Sequence, residues 1–197
     1  MALVAERWGL ISELQDYAKS TQQPIWGTCA GLIFLADKAT NMKQGGQALI
    51  GGLDVTVSRN FFGAQINSFE TRLPAPACLV DDQGADQEKD FRALFIRAPA
   101  ITEVGEGVDV LASYALSPQE KAEDPQRPES VIVAVRSGNL LATSFHPELV
   151  DDVRWHALFV KMVRDAMAKA PAKDAAEQGN GFESVPCPRK PRDLPKH

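Results

Sequence analysis

The sequence is poor in the residues that build disulfide frameworks and metal centres. Its 197 residues include only three cysteines and three histidines. An odd number of cysteines, without the paired spacing of metal ligands, argues against both a disulfide scaffold and a zinc site. Phosphate-binding loops and dinucleotide fingerprints are also missing from the sequence. We therefore expect neither a metal nor a cofactor.

Long apolar runs and an excess of positive charge are lacking too. No apolar run approaches the ~20 residues that a membrane-spanning helix needs. Glu6, Arg7, Glu13 and Asp16 interrupt the region where a signal peptide would have its apolar core. The net charge of -5 argues against a nucleic acid or an anionic membrane as partner. The expected compartment is the cytosol.

The composition is that of an ordinary globular protein, with 44% hydrophobic and 24% charged residues. Residues 1–170 are predicted to form one domain. Residues 171–197 are polar and proline-rich, which predicts a disordered tail. The pattern of apolar positions predicts helices at 10–19, 32–38 and from 151 onward, strands at 25–26, 53–59, 91–97 and 108–114, and a hairpin of 131–135 with 140–145. Residues 65–73 are a candidate antiparallel partner of 53–59, and residues 117–130 are predicted to be an exposed loop.

Cys29 lies between two glycines at a predicted strand-to-helix corner, in the sequence PIWGTCAG (residues 24–31). A nucleophile at such an elbow projects from a strained turn, and small neighbours prevent a backbone clash. The following helix directs its free amides at the sulfur, which favours the thiolate. The Ala30 amide is also placed to donate to an oxyanion. The alternative is a small buried cysteine beside two loop glycines.

His146 is the histidine best placed to act as a base for this cysteine. It follows a predicted apolar strand, whereas His156 lies in a helix and His197 ends the polar tail. Catalytic groups of α/β sheets tend to emerge at strand ends. In an extended chain His146 and Glu148 face the same side, so the carboxylate can orient the imidazole. The alternative is a strand-end histidine followed by an ordinary loop.

The two motifs, WGTCAGL (residues 26–32) and SFHPEL (residues 144–149), resemble those of the class I, triad-type glutamine amidotransferases. Three further segments narrow the resemblance: VSRNFFG (residues 57–63), SFE (residues 68–70) and FIRAP (residues 95–99). Together the five motifs resemble the glutaminase subunits of pyridoxal 5'-phosphate synthase, and the plant-type members most of all. The resemblance implies a three-layer, flavodoxin-like α/β fold with a mixed sheet.

The resemblance implies hydrolysis of L-glutamine to glutamate and ammonia by a Cys29, His146 and Glu148 triad. It further implies that Arg59 and the Ile96–Arg97 pair hold the substrate. An arginine suits the α-carboxylate of glutamine because its planar fork can bind both oxygens. Read without the resemblance, Arg59 and Arg97 could equally be surface arginines at strand ends.

The family also implies a partner, a (β/α)8-barrel synthase subunit that takes up the ammonia within a large hetero-oligomer. Family members begin with βα units, and with a Gly-Gly-Glu-Ser-type loop, that precede anything in this sequence. Residues 1–6 align with the helix after that loop. We therefore expect a domain that is incomplete at its N-terminus and lacks part of the oxyanion hole.

Two other functions remain open at this stage. A catalytically impaired relative could bind the synthase or compete for it, since one oxyanion donor is worth roughly a hundred- to a thousandfold in rate. A cysteine peptidase or other hydrolase on a related fold would share the elbow chemistry.

Overall fold

A computed structural model describes residues 1–20, 22–41, 46–62, 68–80, 89–123 and 126–169. The tail predicted at 171–197 lies outside these residues. The helices within them are α1 (Ala2–Arg7), α2 (Ile11–Ser20), α3 (Ala30–Leu35), α4 (Pro118–Glu123) and α5 (Arg154–Lys169). The strands are β1 (Ile25–Thr28), β2 (Ala36–Thr40), β3 (Leu53–Ser58), β4 (Ser68–Pro74), β5 (Asp90–Ile96), β6 (Ala100–Val104), β7 (Asp109–Ala115), β8 (Ser130–Ser137) and β9 (Leu140–Thr143).

Seven of these strands form one mixed sheet in the order β1-β9-β8-β6-β3-β2, with β7 also paired to β8. The β1–β9 and β2–β3 pairs are parallel, and the other pairs are antiparallel. Among the described residues β1 pairs only with β9, so β1 lies at an edge of the sheet. Strands β4 and β5 form a separate antiparallel ribbon.

Successive side chains of a strand point to opposite faces of the sheet, and a hydrophobic core lies on each face. Leu141 belongs to a cluster with the β4–β5 ribbon and α5, while Leu140 and Ala142 belong to a cluster with α3. A smaller cluster packs α1 against Phe34 of α3. Helices therefore cover both faces, as in a three-layer α/β domain.

Several sequence predictions agree with this architecture. The alternating segment at 53–59 forms β3, and the short apolar segment at 25–26 begins β1. The predicted hairpin is the antiparallel β8–β9 pair, which turns at Gly138. The late helix begins at Arg154 rather than at residue 151.

Three other predictions are wrong. The helix expected to reach residue 38 ends at Leu35, because Ala36–Thr40 pairs in parallel with β3. Residues 68–73 do not pair with β3; they belong to β4, whose partner is β5, while residues 65–67 lie outside the described part. The segment 117–130 contains α4, which Ser117 and Glu120 begin as a capping box with reciprocal hydrogen bonds.

Candidate active site

Cys29 occupies a sharp elbow between β1 and α3. Its backbone has φ 48° and ψ -101°, which is strained for a residue with a side chain. A Cβ on Gly27 would lie 2.5 Å from the carbonyl carbon of Gly31, so only glycine fits there. A Cβ on Gly31, by contrast, would meet no described atom within 4 Å. The elbow thus requires one of the two flanking glycines rather than both.

Two contacts fix the elbow against neighbouring strands. The Cys29 amide donates to the Thr143 carbonyl over 2.7 Å, which ties the elbow to the end of β9. The Cys29 Sγ lies 3.9 Å from the carbonyl oxygen of Ile96, a weak hydrogen bond at the end of β5. The sulfur therefore lies where the ends of three strands meet.

The electrostatic surroundings of the sulfur favour the thiol. Burial raises the pKa of Cys29, and the Glu148 carboxylate raises it further. The amide of Ala30 and the Arg97 guanidinium act in the opposite direction. The net direction is opposite to the thiolate preference expected from the helix terminus, because desolvation outweighs the amide. A nucleophile in this state needs a base to remove its proton.

His146 and Glu148 form a hydrogen-bonded pair just beyond β9. The His146 Nδ1 lies 2.7 Å from the Glu148 Oε1, and the His146 amide donates to the Leu94 carbonyl over 2.9 Å. The sequence predicted an extended chain here, and that prediction is wrong: the chain forms a 3₁₀ turn at Pro147–Leu149. A carboxylate on Nδ1 favours the tautomer whose Nε2 has a free lone pair, which can accept a proton.

The residues predicted to hold substrate lie at the ends of two strands, β5 and β3. Ile96 ends β5 beside the sulfur, and Arg97 follows it with φ +44°. Arg59 follows β3, whose last residue, Ser58, pairs with Ala100, three positions after Arg97. The Arg59 Nε is buried and has no hydrogen-bond partner among the described residues. A buried, unpaired guanidinium nitrogen suits an anionic ligand.

Ala30, the predicted oxyanion donor, is the first residue of α3. Its backbone amide hydrogen-bonds to the Cys29 sulfur and so faces the reacting atom. The site also includes Thr143 and Leu94, which were not predicted from the sequence and whose carbonyls hold Cys29 and His146 in place. Main-chain acceptors leave no mark on residue identity, so no sequence signal could have revealed them.

An open cleft of about 560 Å³ lies beside β1 and is lined in part by Ile25, Trp26 and Thr28 of that strand. Its lining is mostly apolar and includes Trp26, Phe159 and Tyr17, together with Thr28 and the Glu148 carboxylate. The Cys29 sulfur is not part of the lining. The cleft therefore adjoins the candidate site without containing the nucleophile.

The described ranges contain neither a candidate metal-binding cluster nor a membrane-spanning helix. No group of three or more His, Cys, Asp or Glu side chains there could hold a metal ion. No helix in the same ranges is both long enough and apolar enough to cross a membrane.

Comparison with known proteins places the chain in a family. Residues 1–165 match the SNO glutamine amidotransferase family. The chain is 45% identical over 208 residues to a probable pyridoxal 5'-phosphate synthase subunit PDX2 of Arabidopsis thaliana, covering 99% of this chain and 79% of the relative. It is 42% identical to a probable pyridoxal 5'-phosphate synthase subunit pdx2 of Dictyostelium discoideum, covering 76% of this chain and 59% of the relative.

A bacterial relative and a solved structure agree with this assignment. The pyridoxal 5'-phosphate synthase subunit PdxT of Niallia circulans is 44% identical, covering 81% of this chain and 70% of that protein. A crystal structure of a glutamine amidotransferase is 33% identical, with a TM-score of 0.62, over 83% of this chain and 72% of the other. The α/β amidotransferase fold implied by the sequence is thereby confirmed. The chain belongs to the SNO glutamine amidotransferase family.

Proposed function

We propose that the chain hydrolyses L-glutamine to glutamate and ammonia, as the glutaminase subunit of a pyridoxal 5'-phosphate synthase. The observation that carries the proposal is the Cys29 elbow tied to the same strand end as the hydrogen-bonded His146–Glu148 pair. The relatives are named as subunits of pyridoxal 5'-phosphate synthase, and this supports a role in the synthesis of pyridoxal 5'-phosphate.

In the proposed mechanism the Cys29 sulfur attacks the carbon of the glutamine side-chain amide. His146 accepts the thiol proton, a necessary step because burial keeps the sulfur protonated at rest. The tetrahedral intermediate expels ammonia as His146 returns that proton to the leaving nitrogen. Water, deprotonated by His146, then attacks the thioester and releases glutamate, which restores the thiol. Glu148 orients the imidazole and stabilises its cationic form.

The remaining predicted residues bind the substrate in this proposal. The Ala30 amide, which faces the sulfur, donates to the oxyanion of the intermediate. Arg59 binds the α-carboxylate of glutamine, since its Nε is buried and unpaired within the described part of the chain. Ile96 and Arg97 form the wall beside the sulfur and position the substrate amide.

We propose that the ammonia passes to a (β/α)8-barrel synthase subunit in a large hetero-oligomer. Direct transfer keeps the ammonia from escaping into solution, and the family resemblance implies such a partner. We further propose that the chain acts in the cytosol, where thiols stay reduced, since a free thiol is the working state of Cys29.

The proposal is tested by measuring glutamate release from glutamine in the presence of saturating barrel subunit. Cys29→Ala should abolish turnover, whereas Cys78→Ala should retain it, because Cys78 is exposed in a 3₁₀ turn outside the site. Wild-type turnover no higher than that of Cys29→Ala would refute the proposal. Release of peptide fragments without glutamine turnover would instead support a peptidase.

A further inference from the structure

The side chain of Arg127 forms a bridge between two segments that are distant in sequence. Its two terminal nitrogens donate to the Glu120 carbonyl over 3.2 Å and to the Phe61 carbonyl over 3.0 Å. The guanidinium also lies over the Phe61 ring, 5.3 Å from its centroid. A planar, multi-donor cation can make these three contacts at once, and a lysine cannot.

Phe61, which Arg127 contacts, belongs to a turn that begins at Arg59. Residues 59–62 form a turn directly after β3, so the Phe61 carbonyl lies two residues beyond the arginine proposed to bind the α-carboxylate. The other side of this turn is held by the end of β2, where the Thr40 carbonyl accepts from the Arg59 amide over 3.4 Å. That contact is long. Of the two hydrogen bonds, the one from Arg127 is the shorter, and Arg127 therefore restrains the turn more strongly than the Thr40 carbonyl does.

The opposite end of the bridge is rigid. Glu120 is 7% exposed and accepts hydrogen bonds from the Tyr114 hydroxyl and the Ser117 amide. Because the carboxylate is fixed, the first turn of α4 is a firm support for the carbonyl that Arg127 binds.

The turn at residues 59–62 also contacts the strand that leads to Ile96 and Arg97, the other residues proposed to bind glutamine. Phe62 is buried and packs against Phe95 at 5.8 Å and Phe69 at 5.3 Å between ring centroids. Phe95 directly precedes Ile96 and Arg97. A shift of the turn would thus disturb both groups proposed to hold glutamine.

We infer that Arg127 is a positioning residue for glutamine binding, acting through the turn that bears Arg59. This inference rests on the proposed glutaminase function. The side chain contacts Glu120 and Phe61, the latter within the substrate-binding turn, so we assign its role to substrate affinity rather than to chemistry. Its loss should therefore raise KM and leave kcat nearly unchanged.

The test is steady-state glutaminase kinetics of the chain in complex with the barrel subunit. Arg127→Ala should raise the KM for glutamine about tenfold with kcat within about twofold of wild type, and Arg127→Lys should give a smaller rise of about threefold. The matched control is Arg92→Ala, which removes an exposed guanidinium that also makes two hydrogen bonds, here to Glu70. That control should leave both constants unchanged.

A second readout separates binding from turnover. In a Cys29→Ala background, calorimetry should show glutamine binding, and adding Arg127→Ala should weaken it about tenfold. Equal affinity with and without Arg127→Ala, or a kcat loss without a KM rise, would overturn the inference and leave the glutaminase proposal standing. No glutamine binding in the Cys29→Ala protein, with no turnover in wild type, would overturn both. If Arg127→Ala fails to fold, the KM of Arg127→Lys decides: a value equal to wild type refutes the inference.

Discussion

At the scale of single residues, the site combines a protonated nucleophile with an oriented base. Burial raises the pKa of the Cys29 thiol, and the Glu148 carboxylate, 2.7 Å from the Nδ1 of His146, fixes the orientation of that imidazole. Neither group is activated on its own. The sulfur gains its reactivity from proton transfer to His146 as the substrate is attacked.

Replacing Glu148 with Gln should lower kcat about a hundredfold with little change in KM. The amide keeps a hydrogen bond to Nδ1, but it cannot stabilise the imidazolium that forms during attack. Steady-state kinetics with the barrel subunit present would measure the change. Glu129→Gln is the control, because Glu129 is an exposed carboxylate paired with Lys121. Equal kcat values for the two variants would contradict the proposed role of Glu148.

Tyr114 should make the stability of the fold dependent on pH in the alkaline range. Burial, followed by the hydrogen bond to Glu120 and the charge of that carboxylate, raises its pKa from 10.0 to about 12. The folded state therefore holds the phenol proton more tightly than the unfolded state. The resulting stability is fully present below pH 10 and is lost as the pH rises toward 12.

Urea unfolding at several pH values would check this expectation. The free energy of unfolding should fall less steeply between pH 10 and 12 in Tyr114→Phe than in wild type. The chain has two tyrosines. In a Tyr17→Phe background, the ultraviolet absorbance of tyrosinate would therefore report Tyr114 alone. A midpoint near pH 10 in that background would contradict the raised pKa.

At the scale of elements, the strand-to-helix elbow distinguishes its two glycines. Gly27→Ala should destabilise the fold by about 1–3 kcal/mol, because the new methyl group would overlap the Gly31 backbone and the Leu35 side chain. Gly31→Ala should stay within about 1 kcal/mol of wild type, on the stabilising side, because alanine is the better helix former and the space is open. Chemical denaturation of the two variants measures the change in the free energy of unfolding for each. Equal losses would show that the elbow needs both glycines.

The sequence was informative where one face of an element is buried or where turn chemistry is explicit. The alternation in β3 and the Gly138 turn of the β8–β9 hairpin are examples of this. Strand β2 could not be foreseen, since ADKAT has little strand propensity and is extended only because it pairs with β3. Likewise, the scarcity of histidine selected His146, but the sheet order alone places it beside the elbow.

At the scale of the whole molecule, the members of the two main core clusters within the described ranges extend along the chain as far as Met162. Because residues 171–197 are polar and proline-rich, a composition that predicts no packed core, a protein ending at Lys169 should unfold at the same urea concentration as the full chain and retain its kcat/KM with the barrel subunit. Denaturation and glutaminase assays of both proteins test this expectation. A lower midpoint for the shortened protein would show that residues 170–197 contribute to the domain.

The position of β1 at the sheet edge has a consequence for hydrogen exchange of the strand that leads to the nucleophile. The amides of Ile25 and Cys29 donate to Asn139 and Thr143 on the β9 side. Because successive amides of a strand point to opposite sides, those of Trp26 and Thr28 point away from β9, to the side where β1 pairs with no other described strand. These two amides should exchange with deuterium rapidly while their neighbours stay protected. From Ile25 to Cys29, alternate amides would thus report solvent access to the free side of β1 and the integrity of the ladder that holds Cys29.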